Sequence, residues 1–214
     1  MKNEPTKEVY SELLQAYTFF NKELFENCLP ECLITLQRQK RTYGYFAPSR
    51  FTSKSGDEAD EIALNPTYFA TRNVPEVLST LVHEMCHLWQ RHFGMPGRGR
   101  YHNREWAEKM KSIGLCPSHT GEIGGKETGD QLTHYIVENG LFVRVYEKLI
   151  SSGYAISWVD KAQPIKEKTI SPKSGKRTKF SCPKCKTNIW GMASVRVICG
   201  KCLVPYEKVL IPEV

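Results

Sequence analysis

The chain has 214 residues, 40% hydrophobic and 25% charged, with eight cysteines and a formal net charge of +7. That length suits one medium domain, or one domain plus a small appendage, and the composition argues against wholesale disorder. No stretch approaches the roughly 18 apolar residues of a membrane span. The N-terminal residues Met1 to Pro5 carry no apolar leader-like core, so a reducing, cytoplasmic setting is expected, where cysteines serve more often as metal ligands or thiols than as disulfides.

In chain order, residues 6–27 place Val9, Leu13, Leu14, Tyr17, Phe20, Leu24 and Phe25 at helical spacing, with Pro5 suited to the first turn. Residues 33–39, 43–47 and 61–64 read as three strands, with the polar stretch Ser49 to Asp60 as a hairpin loop. Residues 75–92 form the clearest helix: Pro75 opens it, and Val77, Leu78, Leu81, Val82, Met85 and Leu88 supply an apolar face. A Gly/Pro/Arg-rich loop at 94–101 precedes a shorter helix from Asn103 to Ile113. Residues 115–131 read as loop. Beyond them, Thr133 to Val137 and Tyr154 to Val159 are strand-like, and Leu141 to Ser151 is helical. Residues 161–179 read as a basic linker.

The charge is divided unevenly. Residues 161–214 hold 12 Lys+Arg against 3 Asp+Glu, whereas residues 1–160 hold 18 against 20. Basic clustering fits a nucleic-acid-binding segment, and on charge alone it fits a solvated tail equally well.

Two constellations carry chemistry. His83-Glu84-Met85-Cys86-His87 lies within the clearest helix. Spacing i, i+4 sets both imidazoles on one face, close enough to share a metal, with Glu84 beside them as a base. A bound metal would bring the pKa of its water to about 7. Leu81, Val82, Leu88 and Trp89 make the setting apolar, where an idle glutamate is costly. A catalytic zinc needs a third protein ligand. His92 falls on another face of the helix, and Phe93 stands where a metzincin would have histidine. Glu105 and Glu108 are open as carboxylate ligands; His102, where the Gly-rich loop meets the next helix, is better placed.

The second constellation, Cys182, Cys185, Cys199 and Cys202, is C-x2-C-x13-C-x2-C. Its four thiolates suit a closed tetrahedral zinc site in a module too small for a substantial apolar core. Ile189, Trp190, Val195, Val197 and Ile198 read as strands of a zinc ribbon. Lys173, Lys176, Arg177, Lys179, Lys184, Lys186, Arg196 and Lys201 surround it, with Trp190 among them. Cations interleaved with aromatics suit single-strand binding, and Trp190 suits ribbon core as well as base stacking.

The segment His83 to His87, then His102, Trp106 and Met110, resembles the SprT/Spartan family of zinc metalloproteases, as do Tyr43-Gly44-Tyr45-Phe46 and Ile62-Ala63-Leu64-Asn65-Pro66. The resemblance spans about residues 6–160, and the cysteine module fits it. It implies a catalytic zinc on His83, His87 and His102, with Glu84 as base. It also implies cleavage of proteins bound or crosslinked to DNA, as in DNA repair, which favours DNA as the partner of the basic ribbon. The expected fold is α+β: a small sheet packed on helices with a zincin-type metal helix, then a C-terminal zinc ribbon. The expected domains are a protease body at 1–160, a linker at 161–179 and a ribbon at 180–214, with one catalytic and one structural zinc. A non-catalytic zinc-containing DNA-binding adaptor is the alternative. Cys28, Cys32, Cys86 and Cys116 are expected to be ordinary thiols, and His119 and His134 lone histidines of loop or core. Tyr43 and Tyr45 share a strand face, where packing is favoured over lining the cleft. The stretch Gly121 to Asp130 and Tyr135 have no assigned role.

Overall fold

In the computed structural model, residues 4–161, 178–192 and 194–209 are described. The chain divides into two units, Met1–Pro164 and Ile165–Val214. Most of the expected linker, with Lys173, Lys176 and Arg177, lies outside the described residues.

The first unit opens with helix α1 (Pro5–Leu24), which buries Leu13, Ala16, Tyr17, Phe20, Asn21 and Leu24 along one stripe. It ends earlier than the apolar pattern suggests. Glu26 and Asn27 take positive φ (55° and 56°), and the Asn21 side chain bonds both N–H and C=O of Leu29 at 3.1 Å. Phe25 still reaches the core from outside the helix.

Strands β1 (Leu33–Leu36), β2 (Gly44–Thr52) and β3 (Glu58–Leu64) form a sheet in the order β1-β3-β2. Strand β1 runs parallel to β3, and β2 antiparallel to it. Both hairpin strands extend into the stretch expected to be loop. The ladder survives there because a bulge between Ala47 and Phe51 absorbs the mismatch. Ser49 sits in it at φ 46°, its N–H donating to Asp60 Oδ1 at 2.6 Å. A polar strand is legitimate here because most of this arm faces solvent.

Helix α2 (Val74–Phe93) starts on a capping box. Asn73 accepts from the Glu76 N–H, and Glu76 accepts from the Asn73 N–H, each at 3.0 Å. Its face Val77, Leu78, Leu81, Val82, Met85 and Leu88 is fully buried, and the mid-helix burial extends to His83 and Glu84. Helix α3 (Arg104–Ser112) is capped by Asn103, which accepts from the Trp106 N–H.

After α3, Gly114 at φ 85° turns the chain beside the start of α4 (Leu141–Ser151); a Cβ there would lie 2.8 Å from the Leu141 nitrogen. The segment expected to be loop contains strand β4 (Leu115–Ser118), paired antiparallel with β5 (Thr133–Ile136). Helix α4 buries Phe142, Val145 and Leu149, and Phe142 stacks on Phe20 of α1 at 5.8 Å. Tyr154 to Val159 is not a strand. It lies along α1 through side-chain bonds instead: Ser157 to Glu12, and Trp158 Nε1 to Glu8 at 2.6 Å.

In the second unit, β6 (Thr178–Ser181) pairs with β7 (Asn188–Gly191) and β8 (Glu207–Lys208). Of the residues expected as ribbon strands, Ile189 and Trp190 lie in β7. Val195 and Val197 lie in no strand, and Ile198 makes a single bridge to Pro205. There the Val195 N–H turns back on the Met192 carbonyl, and the Val197 carbonyl accepts from Tyr206. The fold is therefore mixed α+β, with small sheets and four helices among the described residues. No helix among them is long and apolar enough to cross a membrane.

Candidate metal centre

The two histidines of α2 converge with His102, which precedes α3. Ligand nitrogens of His83, His87 and His102 all lie within 4.8 Å of one another, and His87 Nε2 is 3.1 Å from His102 Nε2. Trp106 forms the floor. Its ring centroid is 4.8, 5.0 and 4.4 Å from those of His83, His87 and His102, and it is fully buried. Phe46 of β2 lies parallel to the His87 ring at 6.4 Å, bringing the hairpin to the site.

Loop 94–101 is tied down around Glu105 and Asn103. Glu105 accepts from Gln90 at 2.6 Å and from the Met95 N–H at 2.7 Å; Asn103 donates to the Met95 carbonyl. Glu105 is thus an anchor for the loop, and Glu108 pairs with Arg104. His92 turns away and bonds Asp60 at 2.7 Å.

His102 is held from behind. Its backbone bridges Gly129 in both directions, and its Nδ1 lies 3.0 Å from the Gly129 carbonyl. A carbonyl only accepts, so Nδ1 carries the proton and Nε2 offers a lone pair. The stretch Gly121 to Asp130, which carries no signature in the sequence, thereby meets the site through a backbone atom. His134 of β5 was also missed as a neighbour. Its Nδ1 stands 3.1 Å from His83 Nδ1 and its Nε2 2.9 Å from Ser79 Oγ. The only available signal was its place in a strand-like alternation.

Burial holds all these imidazoles neutral. It drives His83 well below the usual histidine range, His87 and His134 down to about 3, and lowers His102. Burial pushes Glu84 the other way, up to about 8, opposed by the Phe46 backbone N–H that donates to its carboxylate. Three neutral imidazoles converging beside a buried carboxyl suit a divalent ion such as zinc. Tyr43 and Tyr45 do not join them. Tyr43 packs edge-on to Tyr68 beneath the Arg72 guanidinium, and Tyr45 bonds Glu61.

The four cysteines of the second unit also converge within 4.8 Å. Each C-x-x-C turn closes by the same device. The N–H of Lys186 returns to the Cys182 carbonyl and that of Leu203 to the Cys199 carbonyl, and both residues take positive φ (60° and 56°). The Thr187 hydroxyl pulls Cys185 down to about 6, while desolvation pushes Cys202 up to about 12. Four clustered sulfurs that do not all ionise together are a donor set for a cation such as zinc. Around them Lys184, Lys186, Trp190, Arg196 and Lys201 are exposed and Lys179 is half-buried. Trp190, 60% exposed, is not ribbon core; Phe180 is. Among the other thiols, burial raises Cys32 to about 12 and pushes Cys86 higher, so both are protonated at neutral pH.

A segment of 61 residues is 61% identical to the "uncharacterized protein in mucB 3'region" of Salmonella typhimurium, covering 28% of this chain and 82% of that protein. No solved structure matches. The model of the SprT-like family matches residues 13–123, just over half of the chain and including the three converging histidines and Glu84, so the chain belongs to the SprT-like family.

Proposed function

We propose that this protein is a zinc-dependent endopeptidase that acts on proteins bound or crosslinked to DNA. The observation that carries the reading is the convergence of three neutral imidazoles beside a buried glutamate. His83, His87 and His102 would hold the catalytic zinc on one open face. Zinc, when bound, supplies a Lewis acid that polarises a peptide carbonyl and acidifies a water. Glu84 accepts the proton of the attacking water and returns it to the departing amine. A carboxyl with a pKa driven toward neutrality by burial suits both tasks, and a neighbouring cation shifts it back toward the base form. The Phe46 backbone N–H favours the ionised form of this carboxyl. Strand β2 pairs only with β3 among the described residues, so its other edge is available to an extended peptide beside the site.

Cys182, Cys185, Cys199 and Cys202 would hold the structural zinc. The exposed Lys184, Lys186, Arg196 and Lys201, with Lys179, would meet phosphates, and Trp190 offers a face for a base. This favours single-stranded DNA as the recruiting partner.

The test is cleavage of a basic DNA-binding protein by the zinc-loaded full chain, with and without single- or double-stranded DNA. Wild type is expected to cleave in a DNA-dependent way. Glu84→Gln should keep both zincs and lose turnover by at least about 10²–10⁴-fold. Retained cleavage by Glu84→Gln would sink the mechanism, and a wild type loaded with two zincs yet inert would make the protein an adaptor.

A further inference from the structure

We infer that His134 is a positioning residue: it fixes the proton of His83 on Nδ1 and so leaves Nε2 as a lone pair for metal. The inference rests on the metal centre proposed above.

The hydrogen-bond chain is anchored at Ser79. Its hydroxyl donates to the Glu76 carbonyl, 2.9 Å away within α2. A carbonyl only accepts, so the hydroxyl proton is committed there. Ser79 Oγ is also 2.9 Å from His134 Nε2. With its own proton used, Oγ accepts, and His134 carries its proton on Nε2. A neutral imidazole carries one ring proton, and here Nε2 has it. The Nδ1 of His134 is therefore bare. It stands 3.1 Å from His83 Nδ1. Two bare nitrogens would repel at that distance, so His83 donates from Nδ1.

A neutral His83 then has Nε2 unprotonated before any metal arrives. His102 reaches the same state through the Gly129 carbonyl. Two of the three imidazoles are thus set by acceptors from one short segment, 129–134. Both acceptors are neutral, so neither adds a negative charge behind the metal, as a carboxylate would. Strand pairing makes His134 a firm abutment: it sits opposite Pro117 in the β4–β5 ladder.

The test uses the full chain. In metal-free wild type, ¹⁵N spectra of labelled histidine should show His83 protonated on Nδ1; a proton on Nε2 overturns the inference whether or not metal binds. Zinc affinity at the histidine centre is then measured by chelator competition, with the four-cysteine site as internal reference. His134→Phe keeps the bulk and removes the acceptor, and should weaken that centre about 10–100-fold. His134→Asn sets a carboxamide oxygen where Nδ1 stood and should recover most of the loss. Equal affinity in His134→Phe and wild type would refute the positioning role, as would equal losses in the Phe and Asn variants, which would mark packing alone. If wild type takes up zinc only at its cysteines, the metal centre itself falls, and the spectra still decide the tautomer.

Discussion

The two donor clusters are built by opposite means. The histidine cluster stands on a completed core. The spacing on α2 sets two rings, the cap of α3 sets the third, Trp106 supports all three, and Gly129 and His134 fix protons from behind. The cysteine cluster has almost nothing beneath it. Only Phe180, Cys182 and Cys199 are buried there among the described residues, while Trp190, Met192, Ile198 and Leu203 are each at least 60% exposed. In the first region the fold makes the site; in the second a metal would have to make the fold. Similar clustering of donors therefore does not mean similar dependence on the ion.

The sharpest way to break this contrast is to remove sulfur. Cys182→Ser with Cys185→Ser should unfold the second unit outright, since structural zinc supplies on the order of 10 kcal/mol to such modules. The body should melt unchanged. Amide spectra of both units check this, and a body that melts early would abolish the distinction. Binding to single-stranded DNA should fall in the same variant, and unchanged affinity would refute the recruiting role.

Next in size is the floor of the histidine cluster. Trp106→Ala should cost the body about 3–5 kcal/mol, read as a lower denaturation midpoint even in chelator. A loss that appears only in the zinc-loaded protein would mean that the metal, not the core, holds this region.

The smallest effect concerns Glu84 and reverses the usual sign. Its folded pKa of about 8 lies above the ordinary glutamate value of 4.5. Below pH 4.5 both states carry the proton and burial brings no penalty. Between pH 4.5 and 8 the unfolded chain releases the proton while the folded one keeps it, so metal-free stability falls as pH rises. Glu84→Gln should therefore stabilise the metal-free body at pH 8 by roughly 2–4 kcal/mol and scarcely at pH 4.5. Melts in chelator at both pH values test it; the same gain at both would show that the benefit comes from packing.

Much of the histidine cluster could be read in the chain, because each element that brings its rings together is local. The i, i+4 spacing and the apolar face of α2 are periodic signals, and His102 lies only fifteen residues beyond His87. The cysteine turns are equally local. What escaped notice is non-local or has no side chain. His134 lies 51 residues from His83 and meets it only through the β4–β5 register. Gly129 acts through a carbonyl, which every residue has. The hairpin is longer than its pattern suggests because its outer arm is polar and paired through a bulge, so alternation fails where the ladder continues. The reverse holds at Tyr154 to Val159 and Val195 to Ile198. Apolar alternation there suggests strands, but a glutamate of α1 takes the Ser157 N–H, and Val195 turns back on Met192.

The bridge between His102 and Gly129 also sets an order of events. During synthesis the chain emerges N-terminus first, at about 5–20 residues per second. A nascent chain that has reached residue 123 contains all three histidines, Glu84 and the whole span of the family match, but neither Gly129 nor His134. Its imidazoles would still exchange protons between their two nitrogens. On the proposed reading, the ligand tautomers are fixed only when this later strand closes behind them, so the growing chain would pass through this stretch of its own synthesis with its metal ligands not yet set.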